Sequence, residues 1–209
     1  MLGIHDYWLF VLTGVLLNLT PGQDTFYILG RSVADGTRKG VASALGITVG
    51  SLLHTAMAAF GLSAILAASA SAFTVVKLLG GAYLIYLGAR MLISTPQPQL
   101  RMPEAKRAGV FGAFRDGVIT NVLNPKVALF FLALMPQFIE PGSNTKLGAF
   151  IALGLTFVAT GTVWCLILAI SAGKLRGVLL RHAQGTRVVA RAAGGLFVLL
   201  GLRLAVSRQ

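Results

Sequence analysis

The chain has 209 residues, of which 56% are hydrophobic and only 11% charged, and its mean hydropathy is +0.79. That balance excludes an ordinary soluble domain and leaves an all-α membrane protein as the class to consider. On a soluble chain a net charge of +12 would suggest nucleic acid, but here the charges follow the gaps between apolar stretches and report topology instead.

A helix needs about 20 consecutive apolar residues to cross the hydrocarbon core. Six stretches supply them, at about 7–30, 40–67, 72–93, 112–138, 147–172 and 188–206. The first follows an opening that carries Asp6 and no Lys or Arg, so it lacks the basic start of a cleavable signal peptide and reads as a span of the mature protein. Within it, GVLLNLTPG (14–22) places Pro21 and Gly22 near the middle, and Asp24 is the only charge between Tyr7 and Gly30. The second stretch carries GVASALGITV (40–49) and, mid-span, His54. The third contains GGAYLIYLGARMLIS (80–94) and runs into a polar connection with Pro96, Pro98 and Pro103, which reads as a loop. The fourth contains GVITNVLNPK (117–126), with Pro125 near its middle and Lys126 as the only charge between Asp116 and Glu140. GAFIALGLTF (148–157) lies in the fifth and GGLFVLLGLRLAVS (194–207) in the sixth. Cys165 is the single cysteine, so no intrachain disulfide or CxxC site is expected.

Three pairs of segments match in the same order. The Asn/Pro pattern joins stretch one to four, GVASALGITV matches GAFIALGLTF without a gap, and the two GG segments match with one residue deleted. Each half holds an odd number of spans, so the second half must enter from the opposite face. The expected architecture is one transporter domain (1–209) of six transmembrane helices in two inverted three-helix repeats: about 1–94 and 112–209, joined by a cytoplasmic linker at about 95–111. Helices one and four are broken near midplane. Of the 18 basic residues, 13 fall on one side, including Arg31, Arg38 and Lys39 between spans one and two, and the positive-inside rule then puts both termini outside the cytoplasm.

Proline removes a backbone donor and frees the carbonyl four residues earlier, and irregular backbone at membrane depth is tolerated only where protein or a water-filled cavity covers it. Asn18, Thr20, Thr120, Asn121 and Asn124 are placed to be partners of those carbonyls. A charge at bilayer depth costs at least about 2.5 kcal/mol, which makes Asp24 and Lys126 candidates for function. They either pair directly or leave room for a zwitterion, whose ammonium suits Asp24 and whose carboxylate suits Lys126. His54 is a weaker candidate, as a proton carrier or as a neutral packing element. Asp116 reads as a structural carboxylate at a helix start. Tyr7, Trp8, Tyr83, Tyr86 and Trp164 read as interfacial anchors or pocket walls.

In LTPGQD (19–24), KLLGGAYLIYLG (77–88), NPKVALFF (124–131) and PQF (136–138) the chain resembles, over essentially its whole length, the LysE/RhtB family of small bacterial amino-acid exporters. The resemblance implies a multi-pass protein of the bacterial inner membrane that exports amino acids or derivatives, of the homoserine, threonine, leucine or lysine class, driven by the proton gradient. Gln23 stands where that family usually has a second proline. The partners implied are a small-molecule substrate, protons and the lipid bilayer; nucleic acid is not, and a homo-oligomer is left open. No cofactor and no metal are expected. Export of another metabolite or a metal cation is the nearer alternative, although the spans hold no Cys/His cluster. An intramembrane hydrolase would need a Ser with a His in reach or paired aspartates, and no such pattern is present.

Overall fold

The computed structural model describes residues 2–62, 109–140 and 142–174, with isolated helical positions between 64 and 93 and between 195 and 202. Every element named among the described residues is helical, apart from an isolated bridge between Ile4 and Ile139. The predicted third and sixth spans, most of the linker, and the GG repeat pair lie outside the described residues.

Helix α1 (Tyr7–Leu19) is apolar all round, as suits a helix surrounded by protein and lipid, and Thr13 satisfies its hydroxyl on the Leu9 carbonyl at 2.7 Å. It stops at Thr20 because Pro21 cannot continue the ladder. After an extended Gly22, α2 (Gln23–Asp35) turns one face inward through Ile28, Arg31 and Ser32. Gly36 then makes a one-residue corner at φ 91°, a region that favours glycine. Helix α3 (Thr37–Met57) continues through a π-helical turn, giving an apolar run over Thr37–Leu62 long enough to cross a membrane.

Helix α4 (Val110–Val122) and the short α5 (Pro125–Leu129) form a broken pair bent by 46°, and the chain goes on through a π turn and a 3-10 turn to Phe138. Asn124 caps α5, its side-chain oxygen accepting the Lys126 amide at 3.0 Å. Helix α6 (Lys146–Lys174) is, among the described residues, the second helix long and apolar enough to cross alone.

The two broken pairs run antiparallel. The amides of His5 and Glu140 donate to the carbonyls of Phe138 and Gly3, tying the start of α1 to the end of the second pair, while Tyr27 Oη donates to the Ala113 carbonyl at 2.9 Å near the other end. The breaks therefore come side by side. Helix α3 packs most extensively on α4, then on α6.

One consequence corrects the sequence reading. Arg31 was expected among loop charges between spans one and two, yet α2 carries it almost to α3, where it is 6% exposed. The amphipathic second half of the first stretch extends the helix beyond its apolar part, so an apolarity criterion ends it too early.

Small residues set the α3/α4 crossing. A Cβ at Gly117 would lie 2.6 Å from the Ser43 carbonyl oxygen, and one at Gly46 would collide with the carbonyl of Phe114. Backbone cannot give way as a flexible side chain does. Gly117→Ala is accordingly expected to lower stability by about 1–3 kcal/mol. Thermal unfolding in detergent reads this as a lower melting temperature, with Gly142→Ala, whose Cβ meets open space, unchanged.

Candidate functional site

Two apolar clusters flank the breaks. One gathers Phe10, Leu17, Phe130, Phe131, Phe138 and Phe157 with their neighbours; the other gathers Ile28, Ala44, Ile47, Cys165 and Ala169. Between them the two breaks exchange side chains. Pro21 denies the Leu17 carbonyl its i+4 donor; the Thr20 amide reaches it at 3.2 Å, and Lys126, from the other break, donates through Nζ to Leu17 at 3.1 Å and to Thr20 at 2.9 Å. Gly22 makes room for this ammonium, since a Cβ there would stand 3.1 Å from Nζ. Pro125 likewise denies the Asn121 carbonyl its i+4 donor, and the Asn124 amide donates to it at 2.9 Å. His54 meets it through Nε2 at 3.2 Å, a contact that requires Nε2 to carry the proton, and the His54 ring lies on that of Phe131.

The exchange continues through Asn121, which is 1% exposed. Its amide nitrogen donates to Asp24 Oδ2 at 2.8 Å, and its amide oxygen accepts from Ser51 at 3.3 Å. Asp24 and Lys126 are not within the 4.0 Å of an ion pair, so the direct salt bridge weighed from the sequence is not what holds them. Asp24 keeps a second oxygen, Oδ1, buried and without a hydrogen-bond partner.

Asp24 lines a cavity with other residues of both breaks, Asn18, Asn121 and Lys126 among them, walled by Ile47, Thr48, Phe157, Trp164 and Cys165. Thr48 and Thr162 share a hydrogen bond of 2.9 Å on its rim. The cavity volume is about 30 Å³, room for about two waters. An amino acid needs it to widen.

Two groups of contacts tie the broken helices together on either side of it. At one, Phe130 stacks on Phe157 at 4.4 Å and Phe10 meets Phe138 edge-on at 5.3 Å. At the other, Arg31 donates to Asp35 at 3.1 Å and to Asp116 on α4 at 3.2 Å, and its guanidinium lies over the Tyr27 ring. Lys39 adds a contact of 3.4 Å to Asp35, and Arg115 one of 3.1 Å to Asp116. Burial pushes the Asp35 carboxyl up, but the hydrogen bond from Arg31 and the charge and hydrogen bond of Lys39 outweigh this and hold it below the usual aspartate value.

The sequence-selected residues Asn18, Asp24, Asn121 and Lys126 thus meet at one place. The side-chain partners of these carbonyls differ from expectation: Lys126 joins the Thr20 amide on one and His54 the Asn124 amide on the other, whereas Thr20 and Thr120 direct their hydroxyls to the carbonyls of Leu16 and Asp116 within their own helices. Thr20, Pro21, Gly22, Asn124 and Pro125 build the breaks and do not line the cavity. Thr48, Ser51 and Cys165 do line it and carry no signal a single sequence reveals. Trp164, an anchor or a pocket wall on its sequence alone, lines the cavity.

The family model described as LysE type translocator matches residues 15–208. A homoserine/homoserine lactone efflux protein of Salmonella typhimurium is 30% identical over 206 residues, covering 98% of each chain. A leucine efflux protein of Salmonella choleraesuis is 28% identical over 97% of this chain and 96% of its own length. An uncharacterised membrane protein of Pseudomonas aeruginosa is 29% identical over 99% of this chain and 97% of its own. No solved structure matches the chain.

Proposed function

The chain belongs to the LysE type translocator family, and on that premise we propose that it exports a small amino acid or derivative from the cytoplasm of a bacterium through the cavity at the crossed breaks. The observation that carries this reading is the unpartnered, buried Asp24 carboxylate oxygen in a cavity built by two broken antiparallel helices. An ammonium entering there would satisfy that oxygen, and desolvation makes such a charge-assisted bond strong. The relatives named for homoserine and leucine efflux support the substrate class.

In this reading the chain is a secondary transporter of the inner membrane, with six helices in two inverted repeats and both termini outside the cytoplasm. The matched segments and charge placement support that arrangement. Asp24 binds the substrate ammonium or a proton in alternation, which couples export to the proton gradient. Lys126 holds the first break and lends its positive charge to the site. The Arg31, Asp35 and Asp116 contacts close the cytoplasmic end and the phenylalanine cluster the other, so each must open in turn. His54 acts through Asn121 as a positioning group. The family assignment supports transport in place of catalysis.

The test is efflux from proteoliposomes loaded in turn with labelled homoserine, threonine, leucine and lysine, with and without an imposed pH gradient. Saturable efflux of at least one, accelerated by the gradient, is the expected result. If none of them leaves faster than from protein-free liposomes, the reading fails.

A further inference from the structure

Two buried donors on the wall of this cavity have no acceptor: the indole N–H of Trp164 on α6 and the amide nitrogen of Asn18 on α1. Leaving a buried donor unpaired is costly, and each such group in a folded protein calls for a reason. The two are neighbours on one face. A Cβ at Gly161 would lie 3.3 Å from the Asn18 amide, so the absent side chain of Gly161 is what seats that amide against α6. Trp164 follows Gly161 by three residues, one helical turn along the same side. The cation on the cavity wall, Lys126, is held by the carbonyls of Leu17 and Thr20. The cavity therefore presents an unpaired acceptor from α2, Asp24 Oδ1, and two unpaired neutral donors from the α1/α6 wall.

We propose that Trp164 and Asn18 form the carboxylate-recognition subsite of this cavity, and that Trp164 is the residue that separates amino acids from amines lacking a carboxylate. The proposal rests on the export reading above and deepens it. A ligand with ammonium and carboxylate on one carbon satisfies Asp24 and both donors together, whereas the decarboxylated amine leaves the donors unpaired. Sites that hydrogen-bond a substrate group reject analogues lacking it, because their own buried polar atoms are then stranded.

The chain carries its own reporter. Trp164 and Trp8 are its two tryptophans, and Trp8 is 79% exposed at the start of α1. Trp8→Phe leaves Trp164 as the sole emitter. Titrating that purified variant with leucine and homoserine is expected to shift its emission saturably for whichever amino acid it transports; isopentylamine and aminopropanol, the matching amines, are expected to give no shift. In proteoliposomes Trp164→Phe is expected to raise KM for the amino acid about tenfold, the loss of one hydrogen bond to a charged acceptor, and to narrow the preference over the amine. Saturable transport by Trp8→Phe with no change in Trp164 emission overturns the subsite while leaving export intact, and it decides the matter even if Trp164→Phe does not fold. An equal response to amine and amino acid overturns it as well. If the wild-type protein moves no amino acid at all, the export reading falls and this one with it.

Discussion

Asp24→Asn is expected to lower amino-acid export about a hundredfold while leaving the protein inserted and folded. Removing one member of a buried, hydrogen-bonded charge pair costs about 2–5 kcal/mol, and about 2.7 kcal/mol is already a factor of a hundred. The substitution keeps the size of the side chain and keeps an oxygen for the Asn121 amide, now at 2.8 Å from Oδ2. What disappears is the charge that an ammonium needs at membrane depth and the group that takes up a proton. Efflux from proteoliposomes at matched protein density is the measurement, with gel filtration to confirm folding. Proton-dependent export at the wild-type rate by this variant would remove Asp24 from the site.

Lys126→Met is expected to act on the fold first, with a loss of about 3–5 kcal/mol, the range seen when one partner of a buried charge arrangement is deleted. Methionine keeps the length of the side chain but removes the donor that the Leu17 and Thr20 carbonyls now have at 3.1 and 2.9 Å, leaving Leu17 only the Thr20 amide at 3.2 Å. It also removes the positive charge that acts on the Asp24 carboxylate. Unfolding in detergent reads the total, and the double variant Asp24→Asn/Lys126→Met separates the parts. Because the second change removes the stranded charge, the pair is expected to be more stable than the sum of its single effects, with the carbonyl cost remaining. A Lys126→Met protein that melts with the wild type would show that the ammonium is not what holds the first break.

These two residues mark how far single-sequence reasoning reaches. Both stand out because a lone charge in a long apolar run is expensive, and both were placed beside a proline by local spacing alone. What they do was not legible. The sequence suggested that Asp24 and Lys126 pair or share a ligand and that neighbouring Asn and Thr side chains answer the freed carbonyls. Instead Lys126 joins a backbone amide on the first and His54 a backbone amide on the second, while the threonine hydroxyls bond within their own helices. Arg31 looked like a loop charge and is a buried tie between α2 and α4. Trp164 looked like one aromatic among several, since nothing in its flanking residues says that its N–H is buried at a cavity wall.

By itself the sequence determined the membrane class, the apolar stretches whose helices the structure describes, and the two interruptions in them. Each of these follows from chemistry within one helix: hydropathy over about 20 residues, and the donor that proline lacks. Only the tertiary structure decided which groups meet. Lys126 reaches a carbonyl 109 positions away, Asn121 a carboxylate 97 away, and His54 a carbonyl 67 away. Those meetings depend on two antiparallel broken helices coming to rest with their breaks side by side, and close packing of α3 against α4 through glycine sets that position.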